Sequence, residues 1–354
     1  MLLPGFGAEG QQRLRESTAL LLGCGALGTV AADMLARAGV GHLVIVDRDF
    51  IELTNLQRQV LFDESDVDKA VPKAEAARRR LGKINSKIRV TAIVDDINYD
   101  NIARYTEGAD VLVDGLDNFE TRYLANDLAV RDALPYVYGA AVGTTGMTIP
   151  ILPHTDTGDA PWEQDGDESY ATPCLRCLFD EPPPPGTSPT CDTIGVLNSA
   201  VALVANLQVN ETLKILTGNY ERVNRRLMSI DLWSNEIHQL GVEKARQDGD
   251  CPACRGRRFE FLDGRAGSTV DTLCGRNAVQ LRHRQTAGDI DFDALAERLA
   301  PHGTVTVNEF LPRANIEDGG RDFELSLFPD GRAIVKGTDD PAEARSVYAR
   351  FIGS

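Results

Sequence analysis

The sequence has no uninterrupted apolar run of about 18 residues, the minimum for a membrane-spanning helix, so no membrane association through such a span is expected. The opening Met1-Leu2-Leu3-Pro4-Gly5 has no basic segment and no long apolar stretch, so no secretory leader is expected either. Positive charge is in deficit: 37 Lys and Arg stand against 53 Asp and Glu, a net charge of −16. A chain this acidic gains nothing from counterion release on a polyphosphate backbone, which makes nucleic acid a poor partner. No internal repeat is present. The seven cysteines are an odd number, and four of them form two C-x-x-C pairs. Without a secretory leader these favour metal binding over a disulfide framework. A cytoplasmic location is expected. The length of 354 residues suits one large and one small domain, and 42% hydrophobic residues is ordinary for a soluble globular chain.

The first 150 residues alternate between strand and helix signals. Strands are predicted at 18–22, 42–47, 88–94, 111–114 and 136–141. Helices are predicted at 26–38, stopped by Gly39, at 72–82, opened by Pro72, and at 119–133. Such alternation implies a mostly parallel sheet covered on both faces, a Rossmann-like α/β fold. After residue 150 the texture changes. Residues 154–169 are polar and acidic, and 181–189 are proline-rich, the pattern of an exposed extended loop. A long helix is expected at 193–216, apolar around its whole circumference and therefore buried, followed by two short strands within 225–240. The fold class is completed by an antiparallel extension with a structural zinc site and a small α+β C-terminal module. The domain boundaries expected are 1–255 and 256–354. In the module, strands are read near 269–283, 304–310 and 322–336, and helices near 291–300 and 341–351.

Gly23, Gly25 and Gly28 form G-x-G-x-x-G between a predicted strand and helix. Glycines there permit a tight turn and let backbone N–H groups approach a phosphate at the helix N-terminus. Asp47, about 20 residues on, closes the next strand, where a carboxylate can hold ribose hydroxyls. By itself this indicates a nucleotide, and an NAD-dependent oxidoreductase is the default. The following residues move the reading toward ATP. Thr54-Asn55-Leu56-Gln57-Arg58-Gln59, Lys73 at a helix start, and Asp114-Gly115-Leu116-Asp117-Asn118 after a strand serve no purpose in a dehydrogenase. Adenylation requires cations on the triphosphate and a carboxylate for Mg²⁺. Arg58 and Lys73 supply the first and Asp117 the second, and Asn55 can donate to phosphate or ribose.

GCGALG, VDRDFIELTNLQRQ, VPKAEAA and GLDNFETR, in this order and spacing, resemble the ThiF/MoeB family of the ubiquitin-activating enzyme superfamily over about residues 2–254. The resemblance implies that Asp47 binds the ribose and that Ala26 belongs to the nucleotide loop. Asn55, Arg58 and Lys73 would contact phosphates, and Asp117 would hold Mg²⁺ beside Asn118. It also implies a homodimer and a substrate: a ubiquitin-like sulfur-carrier protein ending in Gly-Gly, whose terminal carboxylate attacks the α-phosphate and releases pyrophosphate. For Arg122, placing the carrier's tail and i,i+4 pairing on a helix both remain open. A non-catalytic carrier-binding module is a further alternative. Family members carry an arginine in an R-Q segment just before the position where this chain begins, so a longer native N-terminus is expected.

Cys174, Cys177, Cys251 and Cys254 make the ligand set of a closed tetrahedral Zn²⁺ site, which assigns structure rather than catalysis. Residues 178–250 separate the pairs, so the tertiary fold must join them. Cys191, before the predicted 193–216 helix, is the candidate for a covalent or persulfide-linked step, since a helix N-terminus lowers a thiol pKa. An inert thiol is the alternative. Cys24 is read as a packing residue and Cys274 as a buried strand cysteine.

Overall fold

The apolar run Thr18–Leu22 forms the central strand β1. In the computed structural model its side chains alternate between two cores, Ala19 and Leu21 in one and Leu20 and Leu22 in the other, as a strand covered on both faces requires. The structure describes residues 3, 5–155, 157–163, 169–180, 195–248, 250–266, 271–273, 277–281, 292–307, 312–318, 320–328 and 333–351. They fall into two units: Met1–Pro183 with Ile194–Gly267, and Ser268–Ser354 with Pro184–Thr193.

In the first unit β1 lies between β2 (His42–Val46) and β4 (Val111–Asp114), parallel to both. β3 (Arg89–Ile93) extends the sheet beyond β2, and β5 (Tyr136–Val142) beyond β4, again in parallel. The strand order therefore reverses direction at β1, which opens a crevice at the carboxyl ends of β1 and β4. Antiparallel β6 (Thr145–Ile151), β7 (Leu227–Asp231) and β8 (Glu236–Leu240) complete eight strands. The fold is thus a mostly parallel α/β sheet with an antiparallel extension.

The helices are α1 (Gly7–Glu16), α2 (Ala26–Ala38), α3 (Glu64–Asp68), α4 (Lys73–Ile84), α5 (Ile102–Tyr105), α6 (Phe119–Asp132), α7 (Leu175–Leu178), α8 (Asn198–Leu216) and α9 (Glu243–Asp248). α2 stops at Gly39, whose left-handed backbone lets its N–H reach the Leu35 and Ala36 carbonyls. α6 starts at Asn118, whose side-chain oxygen accepts from the Thr121 N–H. α8 packs against α2, but it is not buried all round as its composition suggested, because Asn206 and Asn210 are exposed. The sequence pattern also misses α1 and β6. Pro150 hides β6 as a strand; it pairs with Val137 of β5 but lies beyond the last β7 pair, so no ladder bond is lost on that side. Among the described residues no helix is long and apolar enough to cross a membrane.

The second unit holds β9 (Asp271–Leu273), β10 (Ala278–Leu281), α10 (Phe292–Leu299), β11 (Gly303–Val307), β12 (Pro312–Asp318), β13 (Arg321–Leu327), β14 (Ala333–Lys336) and α11 (Pro341–Phe351). Its antiparallel sheet runs β11-β12-β13-β14-β10-β9. Leu295 and Leu299 of α10, with Ala344 and Val347 of α11, share one core with Ala314, Ile316, Phe323 and Leu325. β12 is not predicted from sequence, because proline opens it. The units divide at Ser268 rather than at 256. Residues 256–266 are held by the first unit: the Phe261 N–H donates to Asp127 at 3.0 Å and its ring packs on Tyr123.

Candidate active site and metal centre

The turn from β1 into α2 is closed by glycines that do different work. Gly23 has a φ of +88°, and a Cβ there would lie 2.5 Å from the Gly115 carbonyl oxygen. A Cβ on Gly28 would lie 2.2 Å from the Gly23 carbonyl oxygen, and one on Gly115 2.4 Å from the same atom. These three let the turn, α2 and the loop after β4 close directly on one another. Gly25 is the exception. The nearest atoms to its Cβ position are Gly115 O at 3.9 Å and Gln59 Nε2 at 4.0 Å. Gly25 caps α2, and Ala26 is that helix's first residue. The first N–H groups of a helix have no partner within it, so this end presents donors and a partial positive charge to a ligand.

Asp47, after β2, is buried beside this turn. Its Oδ2 accepts from the Cys24 N–H at 2.6 Å and its Oδ1 from the Asp49 N–H at 2.7 Å. Burial pushes its carboxyl above the ordinary carboxylate range, and nearby Lys73 pulls it back. Lys73 opens α4 and is only 3% exposed; its Nζ donates to Asp49 Oδ2 at 3.0 Å. The Lys73 N–H also donates to the Asp49 carbonyl at 2.9 Å, which fixes the start of α4 against the segment after β2. Asp49 is thus a supporting residue whose importance the sequence reading did not register. Its signal was only an acid two positions after Asp47.

Asn55 is buried in a short 3₁₀ turn, and its carbonyl accepts from the N–H groups of Arg58 and Gln59. Arg58 is half-buried and donates through Nη1 to the Thr54 carbonyl at 3.0 Å. Asp117 is exposed at the start of α6, and Asn118 Nδ2 donates to its Oδ1 at 3.3 Å. The structure brings Gly23, Gly25, Ala26, Gly28, Asp47 and Lys73 to the crevice, with the loop bearing Asp117 and Asn118 packed on Gly23 through Gly115 and Leu116. Arg122 is different. It is buried, paired with Asp114 at 3.2 Å, and donates to the carbonyls of Leu116 at 2.6 Å and Gly139 at 3.1 Å. Its guanidinium therefore ties β4, β5 and the start of α6 together, a role that neither an i,i+4 pair nor a tail contact describes. Gln208 of α8 adds to this knot by donating to the Asp114 and Val137 carbonyls.

The four predicted cysteines converge although most of a domain separates them in sequence. Their sulfurs all lie within 4.8 Å of one another. Cys174–Cys177, Cys174–Cys251 and Cys177–Cys254 are separated by 3.8, 3.6 and 3.3 Å. A tetrahedron with metal–sulfur bonds of about 2.3 Å has edges of about 3.8 Å, so the set fits a four-coordinate metal with no position left open. Hydrogen bonds among the sulfurs, with burial, hold the Cys174 thiol well above the usual thiol range. α7 is seated by the Leu175 N–H on Asn126 Oδ1 of α6 at 2.7 Å, which ties the cysteine cluster to the core. Cys24 is fully buried, as a packing residue should be. Cys191 and Cys274, and the proline-rich 181–189, lie outside the described residues. The second unit has a cavity of about 590 Å³ lined by residues including His302, Thr304, Glu317, Asp322 and Lys336, and no nucleotide-site candidate lines it.

Comparison with known proteins agrees with this geometry. Residues 1–253 match the ThiF family. The sulfur carrier protein ThiS adenylyltransferase of Bacillus subtilis is 42% identical over 353 residues, covering 99% of this chain and 97% of that protein. The SAMP-activating enzyme E1 of Haloferax volcanii is 36% identical over 254 residues, covering 72% and 86%. Among solved structures, Escherichia coli MccB superimposes with a TM-score of 0.55 at 26% identity, covering 70% of this chain and 69% of that one. Its crystal structure with ATP gives a TM-score of 0.53 at 25% identity, with the same coverage.

Proposed function

The chain belongs to the ThiF family, and from that premise we propose that it adenylates the C-terminal glycine carboxylate of a ubiquitin-like sulfur-carrier protein. A carboxylate oxygen attacks the α-phosphorus of ATP. The bond from that phosphorus to the bridging oxygen of the β-phosphate breaks, pyrophosphate leaves, and an acyl-adenylate remains. The observation that carries the reading is the meeting of the open Gly25 corner, Asp47 and buried Lys73 at one crevice. The full-length similarity to a ThiS adenylyltransferase supports the carrier as substrate.

In this reading the Gly25–Ala26 end of α2 receives phosphate, and Asp47 takes the ribose. Asn55, Arg58 and Lys73 neutralise the phosphates while charge shifts toward pyrophosphate. Asp117, beside Asn118, holds Mg²⁺, which supplies further neutralisation. Gly23 and Gly28 shape the turn, and Arg122 and Gln208 hold its floor. Zn²⁺ on Cys174, Cys177, Cys251 and Cys254 is structural. Cys191 is the nucleophile for a sulfur-transfer step that follows adenylation. The protein acts as a homodimer. ATP as substrate and a cysteine metal site fit a reducing, cytoplasmic setting.

The test is ATP–pyrophosphate exchange with a carrier ending in Gly-Gly. Exchange that depends on the carrier, and disappears when its last glycine is removed, supports the reading. No exchange with any such carrier would defeat it. Lys73→Met should lower the exchange rate by about 10²–10³-fold, the usual cost of removing one group that stabilises developing charge.

A further inference from the structure

The nucleotide corner contains one polar side chain to which neither the motif reading nor the proposed mechanism gives a role. Gln59 follows the turn that carries Asn55 and Arg58. Its N–H donates to the Asn55 carbonyl at 3.0 Å, and this turns the residue inward. It is only 4% exposed. Its Oε1 is buried and has no hydrogen-bond partner among the described residues. Its Nε2 lies 4.0 Å from the Cβ position of Gly25, the residue that caps α2. A buried carboxamide oxygen without a partner is uncommon, because a polar atom removed from water is costly unless a bond replaces the lost hydration. Here the carboxamide is aimed at a helix N-terminus where donors already converge.

We propose that the Gln59 side chain is a ligand-contacting residue that donates from its carboxamide N–H to the phosphate chain of ATP at the N-terminus of α2. The proposal rests on the adenylation reading. It adds a neutral donor to the charged contacts from Arg58 and Lys73. Among the described residues no hydrogen bond holds Oε1, so turning the amide's N–H groups to the ligand breaks none at that atom. A neutral donor also stays compatible with the α-phosphate before and after pyrophosphate departs, when the local charge changes.

The experiment is calorimetric titration of the full chain with ATP and, separately, with adenosine, for the wild type, Gln59→Met and Gln59→Glu. Methionine keeps the length and shape without the polar atoms; glutamate keeps the shape and adds a negative charge. The readout is the ratio of the two dissociation constants, because a general folding defect moves both while a phosphate contact moves only ATP. We expect the preference for ATP over adenosine to fall about tenfold or more in Gln59→Met, as for a lost hydrogen bond to a charged group, and further in Gln59→Glu. Unliganded Gln59→Met should melt at or above the wild-type temperature, since an apolar group of the same shape removes a partnerless buried oxygen. A ratio within about twofold of wild type in either folded variant overturns the proposal. So does a lowered melting temperature with an unchanged ratio, which would make Gln59 a packing residue. If the wild type itself binds no ATP, the adenylation reading fails instead.

Discussion

Alanine at each glycine of the G-x-G-x-x-G turn separates packing from ligand access within a single motif. At Gly28 a methyl group would sit 2.2 Å from the Gly23 carbonyl oxygen, which is backbone and cannot swing away. Overpacking of this kind costs about 1–3 kcal/mol, and the better helix propensity of alanine returns about 1 kcal/mol. Gly23→Ala adds a left-handed backbone penalty of about 1–2 kcal/mol to a 2.5 Å clash with Gly115 O. The sums are a loss of up to about 2 kcal/mol for Gly28→Ala and about 2–5 kcal/mol for Gly23→Ala. At about 2–4 °C per kcal/mol for a unit of this size, the melting temperature should fall by roughly 4–20 °C in Gly23→Ala and by at most about 8 °C in Gly28→Ala. Gly25→Ala is different, because its methyl would meet nothing closer than 3.9 Å. Only the weaker cap is lost, about 0.5–1 kcal/mol. Its methyl group would instead occupy the phosphate approach, so ATP affinity should drop sharply in a protein that melts within a few degrees of wild type. Differential scanning calorimetry with and without ATP reads both effects. The reasoning is refuted if Gly23→Ala melts like wild type, or if Gly25→Ala binds ATP normally.

Two further outcomes test the rest of the structure. Metal analysis should find one zinc per chain, and Cys251→Ser should abolish its retention during dialysis and lower the melting temperature; a metal-free wild type of equal stability would remove the metal centre. Asp127 is fully buried, its Oδ1 lacks a partner among the described residues, and burial raises its pKa from 3.8 to about 7. Between about pH 4 and 7 only the unfolded chain gives up this proton, so stability from this position is full below pH 4 and declines as the pH rises to 7, by up to about 4 kcal/mol. Asp127→Asn keeps an acceptor for the Phe261 N–H and removes the titration. It should melt higher than wild type at pH 8 and close to it at pH 4.5; an equal difference at both values would contradict the assignment.

The elements legible in the sequence are those whose period matches their environment. Thr18–Leu22 and Ala26–Ala38 fall where apolar pattern, glycine stop and acidic partner agree. The elements missed are those whose local signal conflicts with their place. β6 and β12 each contain a proline, tolerated because Pro150 lies past the end of β7 and Pro312 is the first residue of its strand. α8 reads as apolar all round, but exposed Asn206 and Asn210 mark one side open to solvent. Among the site candidates, charge and type alone could not separate Lys73 from Arg122, since both are cations in family-like motifs. Burial separates them: Lys73 reaches the crevice beside Asp47, while Arg122 is spent on Asp114 and two carbonyls.

The sequence by itself determined the chemistry on offer. Its deficit of basic residues and of long apolar runs, its glycine turn followed by Asp47, and its two C-x-x-C pairs follow from residue type and spacing, which local rules can read. Only the tertiary structure decided which of those residues meet. The close glycine contacts join Gly23 to Gly115 across 92 positions and to Gly28 across 5, and the cysteine pairs come together across 77 positions. It also decided that Gly25, and not Gly23 or Gly28, has room for a ligand, and that Gln59 turns inward with its Oε1 unpartnered among the described residues. Proximity of this kind arises from the packing of β1, β4, α2 and α6 around shared cores, and packing is a property of the whole chain rather than of any motif within it.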